Sequence, residues 1–340
     1  MQEQNKEAVV VTGVTGFLGS HTSIKLLKQG FNVRGTLRSL KRSAEIEKII
    51  LEQVGDTQAT LSFVECDLSK DQGWDDAMEG ADYVIHTASP FLSYVPKDEN
   101  EIIKPAIDGT LRVLKAANDK NIKRVVLTSS VASVLYGNEN MQQTEECWTD
   151  PNDKRVTPYY KSKTLAERVA WDFANKTGLE LSVINPGIIL GPVLESDYGT
   201  SAEVIIKLMD KSLPAIPQIG FTVSDVRDVA QAHILAMKSP KAAGQRYIAA
   251  SKFMWMSDIA NTLRSQFPNQ KIPSRSLPNW LVKMISYVDP ALKTVVKDLG
   301  FKHNMSNAKA KQQLNWSQRP EDETILDTAQ SLIKQGAIKL

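Results

Sequence analysis

A glycine-rich turn close to the N-terminus most constrains the fold of this 340-residue chain. Residues 11–19 space three glycines as G-x-x-G-x-x-G, directly after an apolar run at residues 9–11. Glycine lets the backbone turn sharply and approach a ligand closely, and the N-terminus of a following helix attracts anions. A strand, a glycine turn and a helix in this order are typical of a pyrophosphate-binding site. A turn that binds no ligand is the alternative interpretation of the same residues.

Short apolar runs alternate with longer amphipathic segments through the first 190 residues, approximately. The predicted strands are 9–11, 31–37, 61–64, 83–86, 125–127 and 181–184, with a further strand at 245–250. A helix is predicted at 18–29, where Gly30 is placed to cap its C-terminus. Strands separated by helices form βαβ units. The sequence therefore predicts a doubly wound parallel α/β sheet of the Rossmann type.

The pattern changes after Pro186, where prolines divide the chain into shorter pieces. From about residue 254 the chain is predicted to form helices and loops. We therefore predict a Rossmann domain from residues 1–185 and about 223–252. A smaller, discontinuous and mostly helical substrate lobe is predicted from about 186–222 and 253–340.

Composition excludes several classes of function. Hydrophobic residues make up 42% of the chain and charged residues 24%, a mixture that can bury a sizeable core. The net charge of +2 does not favour nucleic acid or an anionic membrane as a partner. Cys66 and Cys147 lack a CxxC or His/Cys cluster, so no metal site is predicted and both are expected to be free thiols. No apolar run is long enough to span a membrane, and a cytoplasmic protein is expected.

Cofactor contacts are predicted at the carboxyl ends of the strands, because doubly wound sheets bind their ligands there. In the glycine turn the predicted contacts are Gly13, Thr15, Gly16, Phe17, Leu18 and Gly19. After the third, fourth and fifth strands they are Asp67, Leu68, Thr87, Ala88, Ser89 and Thr128. Asp67 and Leu68 are placed to meet the adenine, and the small residues at 87–89 leave room for the cofactor.

The end of the second strand distinguishes the two nicotinamide dinucleotides. An acidic residue there would hold the ribose 2′-hydroxyl of NAD, but this chain has Arg38. A guanidinium grips a phosphate with two hydrogen bonds, so the 2′-phosphate of NADP is the predicted partner. Either Lys41 or Arg42 is the predicted second contact, and a solvated basic loop is the alternative for both residues.

Residues suited to carbonyl chemistry lie between the fifth and sixth strands. Tyr159 and Lys163 are four positions apart on a predicted helix that runs to about residue 176, so they share one face. A neighbouring ammonium lowers the pKa of a tyrosine, which can then exchange a proton with a carbonyl oxygen. A hydroxyl from the Thr-Ser-Ser segment at 128–130 is placed to hold the same oxygen.

These motifs together resemble the extended short-chain dehydrogenase/reductases, and most closely their dihydroflavonol reductase-like group, which includes aldehyde and ketone reductases. The resemblance covers about residues 8 to 335 and includes the segments 163–167, 185–192 and 223–233. It implies that Ser130 orients the substrate carbonyl, that Tyr159 is the acid/base, and that Lys163 binds the nicotinamide ribose. It also implies that Arg38 holds the 2′-phosphate and that Pro186 and Gly187 border the nicotinamide.

Two departures from the group's plant members bear on the substrate. Position 135, five residues after the serine, is Leu135 rather than asparagine, and residues 156–160 lack the motif of cinnamoyl-CoA reductases. We therefore predict NADPH-dependent reduction of a bulky, fairly apolar aldehyde or ketone. Dihydroflavonol-like compounds are among the candidate substrates. The predicted substrate contacts are Phe91, Tyr94, Leu135 and Tyr160.

Two alternatives share this fold. A nucleotide-sugar epimerase or dehydratase would use a retained NAD, which Arg38 disfavours. A non-catalytic NADP-sensing regulator would not need the serine, tyrosine and lysine together. The expected partner is a small carbonyl or alcohol substrate, and the expected state is a monomer or a homodimer.

Overall fold

The computed structural model describes residues 6–90, 96–137, 141–196, 198–287 and 296–339. Twelve strands lie in these ranges. In chain order they are β1 (Ala8–Thr12), β2 (Asn32–Leu37), β3 (Leu61–Glu65), β4 (Tyr83–His86), β5 (Arg124–Thr128), β6 (Leu181–Pro186), β7 (Ile188–Leu190), β8 (Ile216–Pro217), β9 (Gly220–Asp225), β10 (Gln245–Ala249), β11 (Phe253–Trp255) and β12 (Ser276–Leu277).

Eleven α-helices connect and cover the strands within the described ranges. They are α1 (Phe17–Lys28), α2 (Ser43–Val54), α3 (Trp74–Met78), α4 (Asn100–Asp119), α5 (Pro158–Thr177), α6 (Glu203–Met209), α7 (Val226–Lys238), α8 (Met256–Gln266), α9 (Asn279–Ile285), α10 (Ala308–Leu314) and α11 (Glu321–Lys334). A short 3-10 helix at Val131–Ser133 follows β5.

A seven-stranded parallel sheet confirms the predicted fold class. Its strands lie in the order β3-β2-β1-β4-β5-β6-β10, and every neighbouring pair is parallel. The chain builds outward from β1 to β3 and then returns to place β4 on the other side of β1. The loops after β1 and β4 therefore diverge at the carboxyl edge, which is where a doubly wound sheet forms its ligand crevice.

Both faces of this sheet are covered, which explains why its strands read as continuous apolar runs. One hydrophobic cluster packs α1, α2, α7 and α10 against one face. A second cluster packs α3, α4 and α5 against the opposite face. Buried alternate residues of one strand serve different clusters: Val9 and Val11 belong to the first, and Val10 belongs to the second.

Local capping signals set the two helices that matter most for the site. Gly30 has a φ of +86° just beyond α1, as its predicted capping role requires. Thr157 accepts a hydrogen bond from the amide of Tyr160 at 3.4 Å, and Pro158 occupies the first turn of α5. Gly178 then ends α5 with a φ of +79°. The predicted bounds of both helices are confirmed within two residues.

The later part of the chain contains more strand than the sequence predicted. A three-stranded sheet has the order β11-β9-β7, and β8 pairs with β12. The prediction of only helices and loops after residue 254 is therefore wrong for β11 and β12. These strands have three and two residues, too few to show a hydrophobic period. Residues of β7, β8, β9 and β11 pack with α6, α8 and α11 in a separate hydrophobic cluster.

The predicted division into a Rossmann domain and a substrate lobe stays a prediction. In its favour, β10 joins the main sheet beside β6, whereas β9 pairs with β7 and β11.

Cys66 and Cys147 are buried free thiols. Within the described ranges, no helix combines the length and the apolar character needed to cross a membrane. The same ranges contain no group of three or more histidine, cysteine or acidic residues that could hold a metal ion.

Candidate active site

A cleft of about 820 Å³ opens at the carboxyl edge of the main sheet, where β1 and β4 diverge. Its lining collects residues predicted as cofactor contacts from four separate loops. These are Gly13, Thr15, Gly16, Phe17, Leu18, Gly19, Arg38, Asp67, Leu68, Thr87, Ala88 and Ser89. The fold therefore brings residues from separate loops into one cavity. A hydrogen bond from the Ala88 amide to Thr12 Oγ1 at 3.1 Å joins the loop after β4 to the end of β1.

The glycine turn fits closely against its neighbours. Gly13 has a φ of +67°, and a Cβ there would lie 3.0 Å from the Cβ of Ala88. A Cβ on Gly19 would lie only 2.2 Å from the carbonyl oxygen of Gly13. Side chains at these positions would push α1 away from the strand. The glycines thus hold the first turn of α1 at the wall of the cleft.

Of the three basic residues after β2, only Arg38 lies in the described lining of the cleft. Arg38 is exposed and lies in the cleft lining, with Asp67 across from it. Hydrogen bonds from the Ser69 main chain and side chain, with a smaller effect of Arg38, lower the pKa of Asp67. Lys41 and Arg42 are absent from the described lining. Arg42 instead pairs with Glu45 at 3.2 Å and with Glu195, so its predicted phosphate contact stays a prediction.

The serine and tyrosine of the predicted chemical step are in contact. Ser130 is buried at the end of β5, and its Oγ accepts a hydrogen bond from the amide of Ala132 at 3.2 Å. Burial raises the pKa of Tyr159, and a side-chain hydrogen bond with Ser130 opposes that rise. A phenol with a raised pKa keeps its proton at neutral pH. It can therefore deliver that proton to an oxygen on which negative charge develops.

Lys163 lies on the same face of α5 as Tyr159, and its side chain extends toward the cleft. Its Nζ donates a hydrogen bond to Ser89 Oγ at 3.0 Å, and Ser89 lines the cleft. Burial lowers the pKa of Lys163 to about 8, and the charge of Glu167 acts in the opposite direction. The expected lowering of the Tyr159 pKa is not observed in this structure, because burial of the phenol dominates and Ser130 supplies the opposing interaction.

Three other predicted contacts lie outside the described lining of the large cleft. The Thr128 hydroxyl shares a hydrogen bond with His233 Nε2 at 2.7 Å. Pro186 is buried at the end of β6, and the amide of Gly187 donates to Ser224 Oγ at 2.9 Å. All three residues lie at the carboxyl ends of β5 and β6, so their predicted cofactor contacts stay predictions.

The predicted substrate residues fall into two groups. Phe91 and Tyr94 lie outside the described residues. Leu135 is buried in the hydrophobic cluster that follows Ser130, and Tyr160 packs against this cluster. The ring of Tyr160 lies 6.1 Å from that of Tyr159 and 5.4 Å from that of Tyr136, centroid to centroid. Aromatic rings therefore adjoin Tyr159, and the substrate contacts predicted for Leu135 and Tyr160 stay predictions.

Sequence reasoning missed one whole wall of the cleft. Ser196, Tyr198, Gly199, Thr200 and Glu203 line it from the segment between β7 and α6. No local motif marks these residues, since their place depends on contacts with distant parts of the chain. The motif at 163–167 also gave no indication that Glu167 is hydrogen-bonded to a buried set of side chains, Ser129, Ser133 and Asn185.

Comparison with known proteins agrees with this geometry. The model of the NAD dependent epimerase/dehydratase family matches residues 9–250. Cinnamoyl-CoA reductase 1 of Petunia hybrida is 34% identical over 280 residues, covering 81% of this chain and 82% of that protein. Tetraketide alpha-pyrone reductase 2 of Arabidopsis thaliana is 39% identical over 272 residues, covering 76% of this chain and 83% of that protein.

The overall structure is similar to that of the yeast methylglyoxal/isovaleraldehyde reductase Gre2 complexed with NADPH. The TM-score is 0.80 and the identity 28%, with 97% of this chain and 100% of that chain covered. The chain therefore belongs to the NAD dependent epimerase/dehydratase family. Within that family its relatives place it in the dihydroflavonol reductase-like group of extended short-chain dehydrogenase/reductases, which confirms the assignment made from its motifs.

Proposed function

We propose that this protein reduces the carbonyl group of a bulky, fairly apolar aldehyde or ketone to an alcohol, using NADPH. It is an oxidoreductase of the carbonyl reductase type, as its relatives are. The observation that carries the proposal is a pair of contacts: Ser130 is hydrogen-bonded to Tyr159, and Lys163 is hydrogen-bonded to Ser89. Ser89 lines the same cleft as Arg38. The aromatic rings around Tyr160 support an apolar substrate.

The residues of the cleft fit NADPH. Gly16 precedes α1 without a side-chain cap, and the first turn of α1 contains no acidic residue. The first amides of a helix lack partners within the helix, so they are suited to a pyrophosphate. Gly13 and Gly19 leave the close approach that a side chain would block. Arg38 would hold the 2′-phosphate, and Lys163 would hold the nicotinamide ribose.

In this mechanism bound NADPH supplies a hydride to the substrate carbonyl carbon. The Tyr159 hydroxyl gives its proton to the carbonyl oxygen, so that the products are the alcohol, a tyrosine phenolate and the oxidised cofactor. Ser130 donates a hydrogen bond that orients the same oxygen and stabilises its developing charge. The ammonium of Lys163 stabilises the phenolate until a proton from solvent restores Tyr159.

Three observations separate this proposal from its alternatives. The relatives named above are reductases, although the family model also bears the names of epimerases and dehydratases. Arg38 in the cleft lining favours a cofactor with a 2′-phosphate over the NAD of the epimerase alternative. Ser130 contacts Tyr159, and Lys163 contacts Ser89 in the cleft lining, an arrangement that a purely sensing protein does not need.

The test is NADPH oxidation, followed by loss of NADPH absorbance, against a panel of carbonyl compounds. The panel contains aliphatic and aromatic aldehydes, diketones, β-ketoesters and dihydroflavonols. We expect turnover with at least one bulky apolar compound and none in the Tyr159→Phe variant. A purified, folded protein that binds NADPH but reduces no member of the panel would refute the proposed function. A nucleotide sugar converted without net NADPH oxidation would support the epimerase alternative.

A further inference from the structure

Glu167 occupies an unusual position directly behind the proposed active site. Its side chain is fully buried on α5, one turn after Lys163. A buried carboxylate is costly unless it is paired and hydrogen-bonded. None of the steps proposed above uses this group, although Glu167 and Lys163 line the same small cavity.

Every described partner of this carboxylate is a donor or a cation. Oε2 accepts hydrogen bonds from Ser129 Oγ at 2.5 Å, Ser133 Oγ at 2.6 Å and Asn185 Nδ2 at 2.9 Å. Oε1 lies 2.6 Å from Arg246 Nε. A carboxylate can only accept, and here its neighbours only donate. An amide at position 167 would direct its own N–H groups at other donors.

The network reaches the main chain of the catalytic serine. Asn185 Nδ2 lies 3.2 Å from the Ser130 carbonyl oxygen and 2.9 Å from Glu167. Ser133 Oγ lies 2.8 Å from the same carbonyl oxygen, and Ser133 Oγ itself accepts a hydrogen bond from Arg246 Nη2 at 3.0 Å. Two side chains that Glu167 orients therefore also contact Ser130.

The network also reaches the catalytic lysine. Residues 163 and 167 are i and i+4 on α5, so their side chains share one face of the helix. The charge of Glu167 raises the pKa of Lys163 against the effect of burial. Other groups that face the ammonium are Ser89, which accepts its hydrogen bond, and His86, whose pKa both burial and Lys163 lower to about 3.

We infer that Glu167 is a positioning residue of the carbonyl reductase reaction. Through Asn185, whose two N–H groups donate to Glu167 and to the Ser130 carbonyl oxygen, it holds the main chain of Ser130. Through α5 it supports the ammonium of Lys163. Arg246 compensates its charge, so that a carboxylate can stay buried at this point. This inference rests on the proposed function, because it assigns Ser130 and Lys163 the roles described there.

The test compares Glu167→Gln, Ser133→Ala and Trp171→Phe with the wild type. In Glu167→Gln we expect kcat to fall about tenfold or more, because small displacements of reacting groups have large effects on rate. In Ser133→Ala, which keeps the charge of Glu167, a fall of about threefold to tenfold is expected, because Glu167 loses one of its hydrogen-bond donors. Trp171→Phe is the matched control, since Trp171 Nε1 contacts the other oxygen of Glu167 at 3.3 Å.

A second measurement does not depend on turnover. The lysines are labelled with ¹³C at Cε, and Lys163 is assigned by the signal that Lys163→Met removes. NMR titration of the cofactor-free protein should then show the Lys163 pKa about one unit lower in Glu167→Gln than in the wild type. In Ser133→Ala and Trp171→Phe it should be unchanged. Thermal unfolding and NADPH titration by fluorescence establish that each variant is folded.

The outcomes separate the two proposals. A folded Glu167→Gln with wild-type kcat, or with an unmoved Lys163 titration, overturns the inference and leaves the proposed function standing. If Glu167→Gln does not fold, Ser133→Ala decides, and wild-type kcat in that variant overturns the inference. A wild type that reduces no carbonyl compound refutes the proposed function, whereas the titration still decides the part that concerns Lys163.

Discussion

Replacing Arg38 by alanine should change the cofactor preference of the enzyme. Arg38 lines the cleft at the end of β2 and is exposed, so it is accessible to a 2′-phosphate. A hydrogen bond to a charged group contributes roughly 1.5–3 kcal/mol. Because about 1.4 kcal/mol corresponds to tenfold, kcat/KM for NADPH should fall about tenfold to a hundredfold in Arg38→Ala. NADH lacks the phosphate, so its kcat/KM should change by less than about twofold.

The assay measures kcat/KM for both cofactors in the wild type, Arg38→Ala and Arg42→Ala. Arg42 is the matched comparison, because it is four residues away but pairs with Glu45 and Glu195 outside the cleft lining. Its replacement should reduce kcat/KM for NADPH less than the replacement of Arg38. An equal loss with NADPH and NADH in Arg38→Ala would mean that Arg38 only supports the loop. A wild type that prefers NADH would refute the assignment entirely.

Three further predictions follow from the same site. Tyr159→Phe should lower kcat by about 10²–10⁴, with the NADPH dissociation constant nearly unchanged; a variant that keeps more than about a tenth of kcat contradicts the acid/base role. Lys163 has a pKa lowered to about 8 and is charged below that pH, so wild-type kcat should decline as the pH rises through about 8. In Lys163→Arg, whose guanidinium stays charged, the residual activity should lack this decline, and an identical profile would point to another group. Gly19→Ala should weaken NADPH binding and lower Tm, because the new Cβ would lie 2.2 Å from Gly13 O. The expected loss in the free energy of unfolding is about 1–3 kcal/mol. An unchanged dissociation constant and Tm would show that the turn accommodates the methyl group.

The main sheet could be predicted because its strands are buried on both faces. Val9, Val10 and Val11 are all fully buried, and such runs stand out from the amphipathic helices around them. The short strands β8 and β12 could not be predicted. Residues 216–217 and 276–277 form a strand pair only through their mutual contact, which no local pattern encodes.

The same physical distinction applies to the site. The glycine turn and the Tyr159–Lys163 pair are local, since their geometry follows from one turn and one helix. A wall of the cleft depends instead on how the later part of the chain packs against the main sheet; its residues are Ser196, Tyr198, Gly199, Thr200 and Glu203. The ion pair of Arg42 with Glu195 joins residues 153 positions apart. The sequence around Arg42 gave no sign of this carboxylate.

The partnership of Arg246 with Glu167 has a consequence for how the enzyme matures. Arg246 lies on β10, and its Nη2 contacts Ser133 from 113 positions away in the sequence. A chain shortened before residue 245 would keep the glycine turn, Tyr159 and Lys163. It would nevertheless leave the Glu167 carboxylate without its cation, and removing one partner of a buried ion pair costs about 3–5 kcal/mol. Nascent chains should therefore acquire activity only when β10 has docked, and products truncated before residue 245 should lack it.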